Sequence, residues 1–262
     1  MRTVVADSIA TDLALALELA DQADAVSLRH FRRSGLVVET KADLSPVSEA
    51  DRDVEQLLRR RLEVARPTHA IVGEEFGQTA GTAADGPRWV IDPIDGTRKF
   101  VRGLPGWGTL IALEDAGGML VGVASAPALG RRWWAGRGLG AFADGQPIQV
   151  SRIPTLAESH VTHGPLESWA RAGRAAQLAD IAVRSSATSG YGDFWIHMLV
   201  AEGAAEAALE VEAAVWDLAA LKVIVEEAGG RFTDLRGAPT AEGGSAISSN
   251  GLVHAEVLRL LA

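Results

Sequence analysis

Asp92 and Asp95 stand three apart in the run Trp89-Val90-Ile91-Asp92-Pro93-Ile94-Asp95-Gly96-Thr97. The apolar residues before them predict a buried strand over Trp89 to Ile91. Pro93 has a fixed φ and no N–H, so no helix passes through Asp92, and the chain is expected to turn there. Two carboxylates on a stiff turn suit Mg²⁺, a hard cation that takes oxygen ligands and keeps several waters. Gly96 allows close approach of the backbone to a ligand. The N–H groups after Asp95 would open a short helix or nest, which favours an anion such as phosphate. The plainer reading is a strand that ends in a turn with two solvated aspartates, because Asp-Pro and Asp-Gly are common turn dipeptides.

Other candidates lie far away in the chain. Gly73-Glu74-Glu75 follows a short strand, either as an exposed turn or as ligands presented at a sheet edge. Asp51 falls in the first turn of a helix, where an acid ordinarily serves the helix dipole. Asp217, in Trp216-Asp217, opens another helix, and helix capping explains it as well as metal binding does. Glu210 ends a strand, and Asp193 opens a helix that it could cap. His163 and His197 are potential ligands, but lone histidines on apolar-rich segments are more often structural.

The elements that must position these residues follow from periodicity. A long amphipathic helix is predicted over 7–31, with Leu13, Leu17, Leu28 and Phe31 on or near one face. A strand at 36–40, a polar loop at 41–46, a helix from Ser48 to about Arg66 and a strand at 70–72 come next. Residues 77–87 read as a flexible loop. Short strands between 106 and 150, separated by Gly-rich turns, predict an antiparallel meander, with Trp133 and Trp134 as sheet packing. After Ser151 strands (159–162, 181–184, 205–210, 230–233, 245–249) alternate with helices (166–178, 193–202, 216–228, 251–261). That pattern predicts a layered α/β sheet. Two tightly packed parts are expected, 1–150 and 151–262.

The chain has 262 residues, no cysteine and a formal net charge of −9. Disulfides and thiolate metal sites are excluded. The negative charge argues against nucleic acid as a partner, but bound cations would still admit an anionic substrate. No run is long and apolar enough for a membrane span, and Asp7, Asp12 and Glu18 break up any signal-peptide pattern. A cytoplasmic protein is the expectation.

Taken together, Asp51, Gly73-Glu74-Glu75, the Asp92 to Thr97 run, Trp216-Asp217 and Glu227-Ala228-Gly229-Gly230 resemble the inositol-monophosphatase family of metal-dependent phosphomonoesterases. The resemblance implies an αβαβα sandwich, an α/β (α+β layered) fold with an antiparallel sheet in the first half and a smaller α/β second half. It implies two or three Mg²⁺ ions held by Glu74, Asp92, Asp95, Asp217 and the carbonyl of Ile94. It further implies catalysis by Asp51, Thr97 and Glu74, with Lys41 nearby in sequence. Phosphate would meet the N–H groups of Gly96 and Thr97, and substrate would contact Asp95 and Asp217. A homodimer is also implied. Gly190-Tyr191-Gly192-Asp193-Phe194 looks like the subgroup acting on histidinol phosphate, whose cationic amine and imidazole suit Asp193 and Glu210. That subgroup often carries an arginine shortly before this motif. Here Ser186 to Ser189 occupies that place and Arg184 is the nearest candidate. An inositol-1-phosphate or sugar-phosphate phosphatase is the alternative on the same fold, and an inactive metal-binding scaffold is the alternative of another class.

Overall fold

The computed structural model describes residues 2–41, 44–82 and 86–262, with side chains from residue 8 onward. Arg2–His30 forms α1, Val38–Thr40 (β1) and Pro46–Ser48 (β2) pair antiparallel, and Glu49–Ala65 forms α2. Ala70–Gly73 (β3), Gly77–Thr79 (β4) and Arg88–Asp95 (β5) lead to the short helix α3, Thr97–Val101. The meander follows as Gly108–Asp115 (β6), Gly118–Ala126 (β7), Arg131–Gly136 (β8), Gly140–Ala143 (β9) and Gln146–Pro147 (β10). Next come His160–His163 (β11), Leu166–Arg171 (α4), Ala175–Arg184 (α5), Ala187–Ser189 (β12) and Asp193–Ala201 (α6). Ala207–Glu210 (β13), Val215–Glu227 (α7), Arg231–Thr233 (β14), Ala246–Ser249 (β15) and His254–Leu261 (α8) complete the chain.

Two sheets result. The larger has strand order β10-β9-β8-β7-β6-β5-β3-β4, antiparallel except where β3 runs parallel to β5. The smaller has order β12-β11-β13-β15-β14, with β11 parallel to both neighbours. Successive strand residues point to opposite faces. Trp89, Ile91, Ile111, Leu113, Val121 and Val123 therefore pack against α1 and α2, while Val90, Leu110, Ala112 and Ala124 pack against α6 and α7. The far side of α6 meets the smaller sheet through Ile196, Val200 and Ala208. Helices α4, α5 and α8 cover that sheet's other face through Trp169, Ile181 and Val257. The order of layers is αβαβα, as the family resemblance implies.

Helix α7 lies tightly on β7. A Cβ at Gly122 would run into the Ala220 carbonyl oxygen and the Val223 side chain. Gly122→Val is expected to lower stability by about 3 kcal/mol through overpacking, read from denaturant midpoints.

Four local readings need correction. The buried face of α1 is Ile9, Leu13, Ala16, Leu19, Ala20, Ala23, Ser27 and His30; Leu17 is partly buried at its edge, and Leu28 is exposed. A fourfold step outruns the helical period of 3.6, so positions chosen at that step drift off the face. Part of the expected loop at 77–87 is strand: β4 pairs with β3, and Arg59 holds the Gly77 carbonyl. Residues 83–85 of that loop, and 42–43 of the loop at 41–46, lie outside the described residues. The helix expected at 166–178 is two helices, broken at Gly173 with φ +68°. The strand expected at 181–184 is the end of α5, where Leu178 and Ile181 are buried and Val183 is exposed at a helical spacing. Among the described residues no helix is long and apolar enough to cross a membrane.

Candidate functional site

The chain does not turn at Pro93. Strand β5 runs on to Asp95, but its pairing with β6 slips between Asp92, opposite Leu110, and Asp95, opposite Gly108. Three steps on β5 thus match two on β6. In a regular strand residues three apart point to opposite faces; one extra residue restores the same face. Pro93 sits in this bulge, where a missing N–H is tolerated, and its carbonyl accepts the Thr109 hydroxyl at 2.8 Å. The bulge directs Asp92 and Asp95 together towards α7. There, oxygens of Asp92, Asp95 and Asp217 all lie within 4.8 Å of one another.

Asp217 and Asp51 reach the site by the same device. Each is the third residue of its helix, and one oxygen accepts the N–H that precedes the helix: Ala214 to Asp217 Oδ2 at 2.6 Å, Ser48 to Asp51 Oδ2 at 2.8 Å. The helix-start reading and the functional reading are therefore compatible. Asp51 caps with Oδ2 while its Oδ1 lies 3.1 Å from the Thr97 hydroxyl, which is also 3.0 Å from the Ile94 carbonyl. Gly96, at φ +84°, starts α3 in a left-handed conformation that an L side chain rarely adopts. Glu74 and Glu75 both accept hydrogen bonds from Lys41, at 2.7 and 2.6 Å.

Glu74, Asp92, Ile94, Asp95, Gly96, Thr97, Asp193, Glu210 and Asp217 are among the residues that line one cleft of about 270 Å³, and Asp51 stands behind Thr97. Arg184 is not among them. It stands at the exposed end of α5 and pairs with Asp180, 2.9 Å away on the preceding turn. Asp193 is not a free acid: Lys99 Nζ lies 2.6 Å from its carboxylate and also donates to the Tyr191 carbonyl at 2.5 Å. Asp193 does not cap α6 either. It is the first residue of that helix, at φ +55°, and Gly192 precedes it. His163 bonds the adjacent Gly164 carbonyl, as a structural histidine would.

The electrostatics of the cleft are unbalanced. Burial pushes Asp92 well above the usual carboxylate range, and the charges of Glu74, Asp95 and Asp217 push it further. Asp95 is raised by burial and by Asp193 and Asp217. Asp217 rises to about 7, chiefly through burial. Burial also raises Glu74, Asp51 and Glu210. Burial works against the charge on Lys41, but its bonds to Glu74 and Glu75 outweigh that and hold its pKa above the ordinary value. Crowded, buried carboxylates of this kind call for a cation. The donor set around Asp92, Asp95 and Asp217 is all oxygen, which fits Mg²⁺ and not a softer metal.

Sequence reasoning missed two supports. Lys99 is one. The other is Glu55, fully buried on α2, which accepts the N–H groups of Glu75 at 2.7 Å and Phe76 at 3.1 Å and the Arg59 guanidinium at 2.7 Å. Its spacing of four from Arg59 reads as an ordinary helix-surface pair, and the fold alone turns it inward. Glu55→Ala strands Arg59 and loosens the turn that carries Glu74. The expected cost is about 3 kcal/mol in stability and ~10-fold or more in Mg²⁺ affinity, measured by denaturant melts and by calorimetric titration.

Known proteins resemble this chain over nearly its whole length. A model described as the inositol monophosphatase family matches residues 9–261. Proteins named histidinol-phosphatase from Streptomyces coelicolor and Mycobacterium tuberculosis are each 48% identical, over 95% of this chain and 96% and 97% of theirs. The crystal structure of the extragenic suppressor protein suhB from Bartonella henselae superposes with a TM-score of 0.90 at 27% identity, covering 96% of this chain and 98% of that one.

Proposed function

This chain belongs to the inositol monophosphatase family, and we infer that it is a Mg²⁺-dependent phosphatase that hydrolyses histidinol phosphate to histidinol and phosphate. The 48% identity to proteins named histidinol-phosphatase, spread over nearly the whole chain, carries the choice of substrate.

Glu74, Asp92, Asp95, Asp217 and the Ile94 carbonyl would hold two or three Mg²⁺ ions. Such ions lower the pKa of bound water and neutralise charge on the phosphoryl and leaving oxygens. The remaining work falls to the chain. Gly96 and Thr97 offer N–H groups at the start of α3, where helical amides lack acceptors within the helix, to the phosphoryl oxygens. The attacking water gives a proton to Thr97 Oγ1 as the Thr97 hydroxyl gives its own to Asp51 Oδ1, over the 3.1 Å contact already present. As the water oxygen bonds to phosphorus and the P–O ester bond breaks, the departing alkoxide takes a proton from solvent water and leaves as the alcohol. Lys41 keeps Glu74 and Glu75 in place through its two hydrogen bonds.

Recognition of the leaving group falls to the second half. Asp193 is neutralised by Lys99, so Glu210 is the acid available to a cationic amine or imidazole. A homodimer belongs to the same proposal and is tested by light scattering on the purified protein.

The deciding experiment measures phosphate release from histidinol phosphate and inositol 1-phosphate in parallel, with Mg²⁺ and with chelator. The expected result is a strong preference for histidinol phosphate that chelator abolishes. Preference for inositol 1-phosphate overturns the substrate and leaves the family intact.

A further inference from the structure

His197 on α6 is wholly buried. Its Nδ1 lies 2.6 Å from Ser248 Oγ on β15, and the Phe232 ring lies beside it at 6.1 Å between centroids. Its Nε2 has no hydrogen-bond partner among the described residues. A buried polar atom left unpaired is costly, and in a native fold it calls for a reason. Packing accounts for the ring and Ser248 for Nδ1; neither accounts for Nε2.

The acid nearest to that nitrogen is Glu210, with Oε2 at 3.7 Å. Glu210 is itself nearly enclosed, its side chain 12% exposed at the cleft. Gly164 leaves room for it: a Cβ there would come within 2.5 Å of Oε1. The carboxylate is thus bounded by Gly164 and His197 on the protein side and open on the cleft side.

We propose that His197 is a positioning residue that orients Glu210 as the anchor for the cationic end of the substrate, an inference that rests on histidinol phosphate being that substrate. The Ser248 hydroxyl donates to Nδ1, which leaves the imidazole proton on Nε2, facing Glu210. The 3.7 Å separation is longer than a hydrogen bond, so the bond forms when the Glu210 carboxylate shifts towards the ring as it meets the substrate. Burial lowers the His197 pKa to about 3, so the ring stays neutral and donates, while the Glu210 carboxyl, itself raised by burial, is drawn to its ionised form by a cationic substrate end. Lys99 does cancel the charge of Asp193. The two acids at the leaving-group end therefore differ: one is paired and holds the loop, the other is directed but uncompensated and meets the substrate.

Steady-state kinetics with Mg²⁺ on histidinol phosphate and on glycerol 2-phosphate, whose leaving alcohol is uncharged, test this. The readout is the ratio of the two kcat/KM values in wild type, His197→Leu, His197→Gln and Ser248→Ala. In His197→Leu the ratio is expected to fall about tenfold, through KM for histidinol phosphate and not through kcat. His197→Gln keeps an N–H donor and recovers part of the ratio. Ser248→Ala, which frees the tautomer, moves the ratio in the same direction as His197→Leu and removes only a hydroxyl, so it carries the comparison if His197→Leu does not fold. An equal loss on both substrates in the leucine and Ser248 variants overturns the proposal, because it marks a purely structural role. A wild-type ratio near one overturns the substrate reading first, and this inference with it.

Discussion

Asp92→Asn lowers kcat/KM by ~10³-fold or more and, in the same protein, raises the melting temperature measured with chelator. The two effects share one cause. Asp92 is enclosed and faces Glu74, Asp95 and Asp217, all carboxylates. The charge that repels its neighbours is the charge that would hold Mg²⁺. Asparagine keeps the Oδ1 that accepts the Ile94 N–H at 3.0 Å, so the bulge survives. It removes one buried acid and adds a donor that Glu74 or Asp217 can accept. The metal-free variant should melt a few degrees higher, at about 2–4 °C per kcal/mol for a chain of this size. Calorimetry with chelator, beside a phosphate-release assay with Mg²⁺, checks both. A variant that loses activity and also melts lower in chelator would show that Asp92 supports the fold rather than straining it.

The second large effect is a reversal of pH dependence by the metal. In the metal-free protein Asp92, Asp95, Asp51, Glu74 and Glu210 all have pKa values above those of the unfolded chain, and Asp217 is raised to about 7. Between the unfolded and folded values, the folded state binds more protons than the unfolded state. Stability is therefore full below about pH 4 for these groups and is lost as pH rises through the folded values, on the order of 1 kcal/mol per pH unit for each group that titrates. With chelator, the melting temperature should fall from pH 5 to pH 7.5. With saturating Mg²⁺ it should hold or rise over the same range, because the ion binds the ionised carboxylates and stabilises only the folded state. Parallel slopes with and without Mg²⁺ would rule out the acid cluster as the metal site.

Much of this site is legible in the sequence because so much of it is contiguous. The run from Asp92 to Thr97 carries two acids, a glycine and a hydroxyl within six residues, and the chemistry of each can be read without the fold. What the sequence does not display is the bulge. The carboxylates share a face because β5 takes one more residue than β6, and that depends on the partner strand. Asp51 and Asp217 look like helix-start acids because they are helix-start acids; their second oxygens acquire a role only when the helices pack. Arg184 illustrates the opposite error. Proximity in sequence to the Gly190 to Phe194 segment says nothing about direction, and α5 points it to solvent beside Asp180. The strand expected at 181–184 fails for a related reason. Ile181 and Val183 favour a strand locally, but the Leu178–Ile181 spacing belongs to a helix whose stripe faces the smaller sheet. The layer order was clearer, because alternation and periodicity over many residues average out such local ambiguity.

Asp95 accepts the Phe194 N–H at 2.6 Å across ninety-nine positions of chain, and Asp217 arrives later still. A ribosome making this protein therefore releases Asp51, Glu74, Asp92 and Asp95 well before the residues that complete the cleft. Until α6 and α7 emerge, the nascent chain has the Gly96–Thr97 turn without the cleft wall that Asp193, Phe194 and Leu218 supply, and an acid cluster short of Asp217. It also exposes the sheet face that Ala220 and Val223 will cover. On the proposed function hydrolysis cannot begin on a half-made chain, because the carboxylates proposed to hold Mg²⁺ wait for the second half of the polypeptide to bring Asp217 to them. Synthesis order would thus act as a safety catch on this enzyme, set by where along the chain Asp217, the last of the proposed ligands, is encoded.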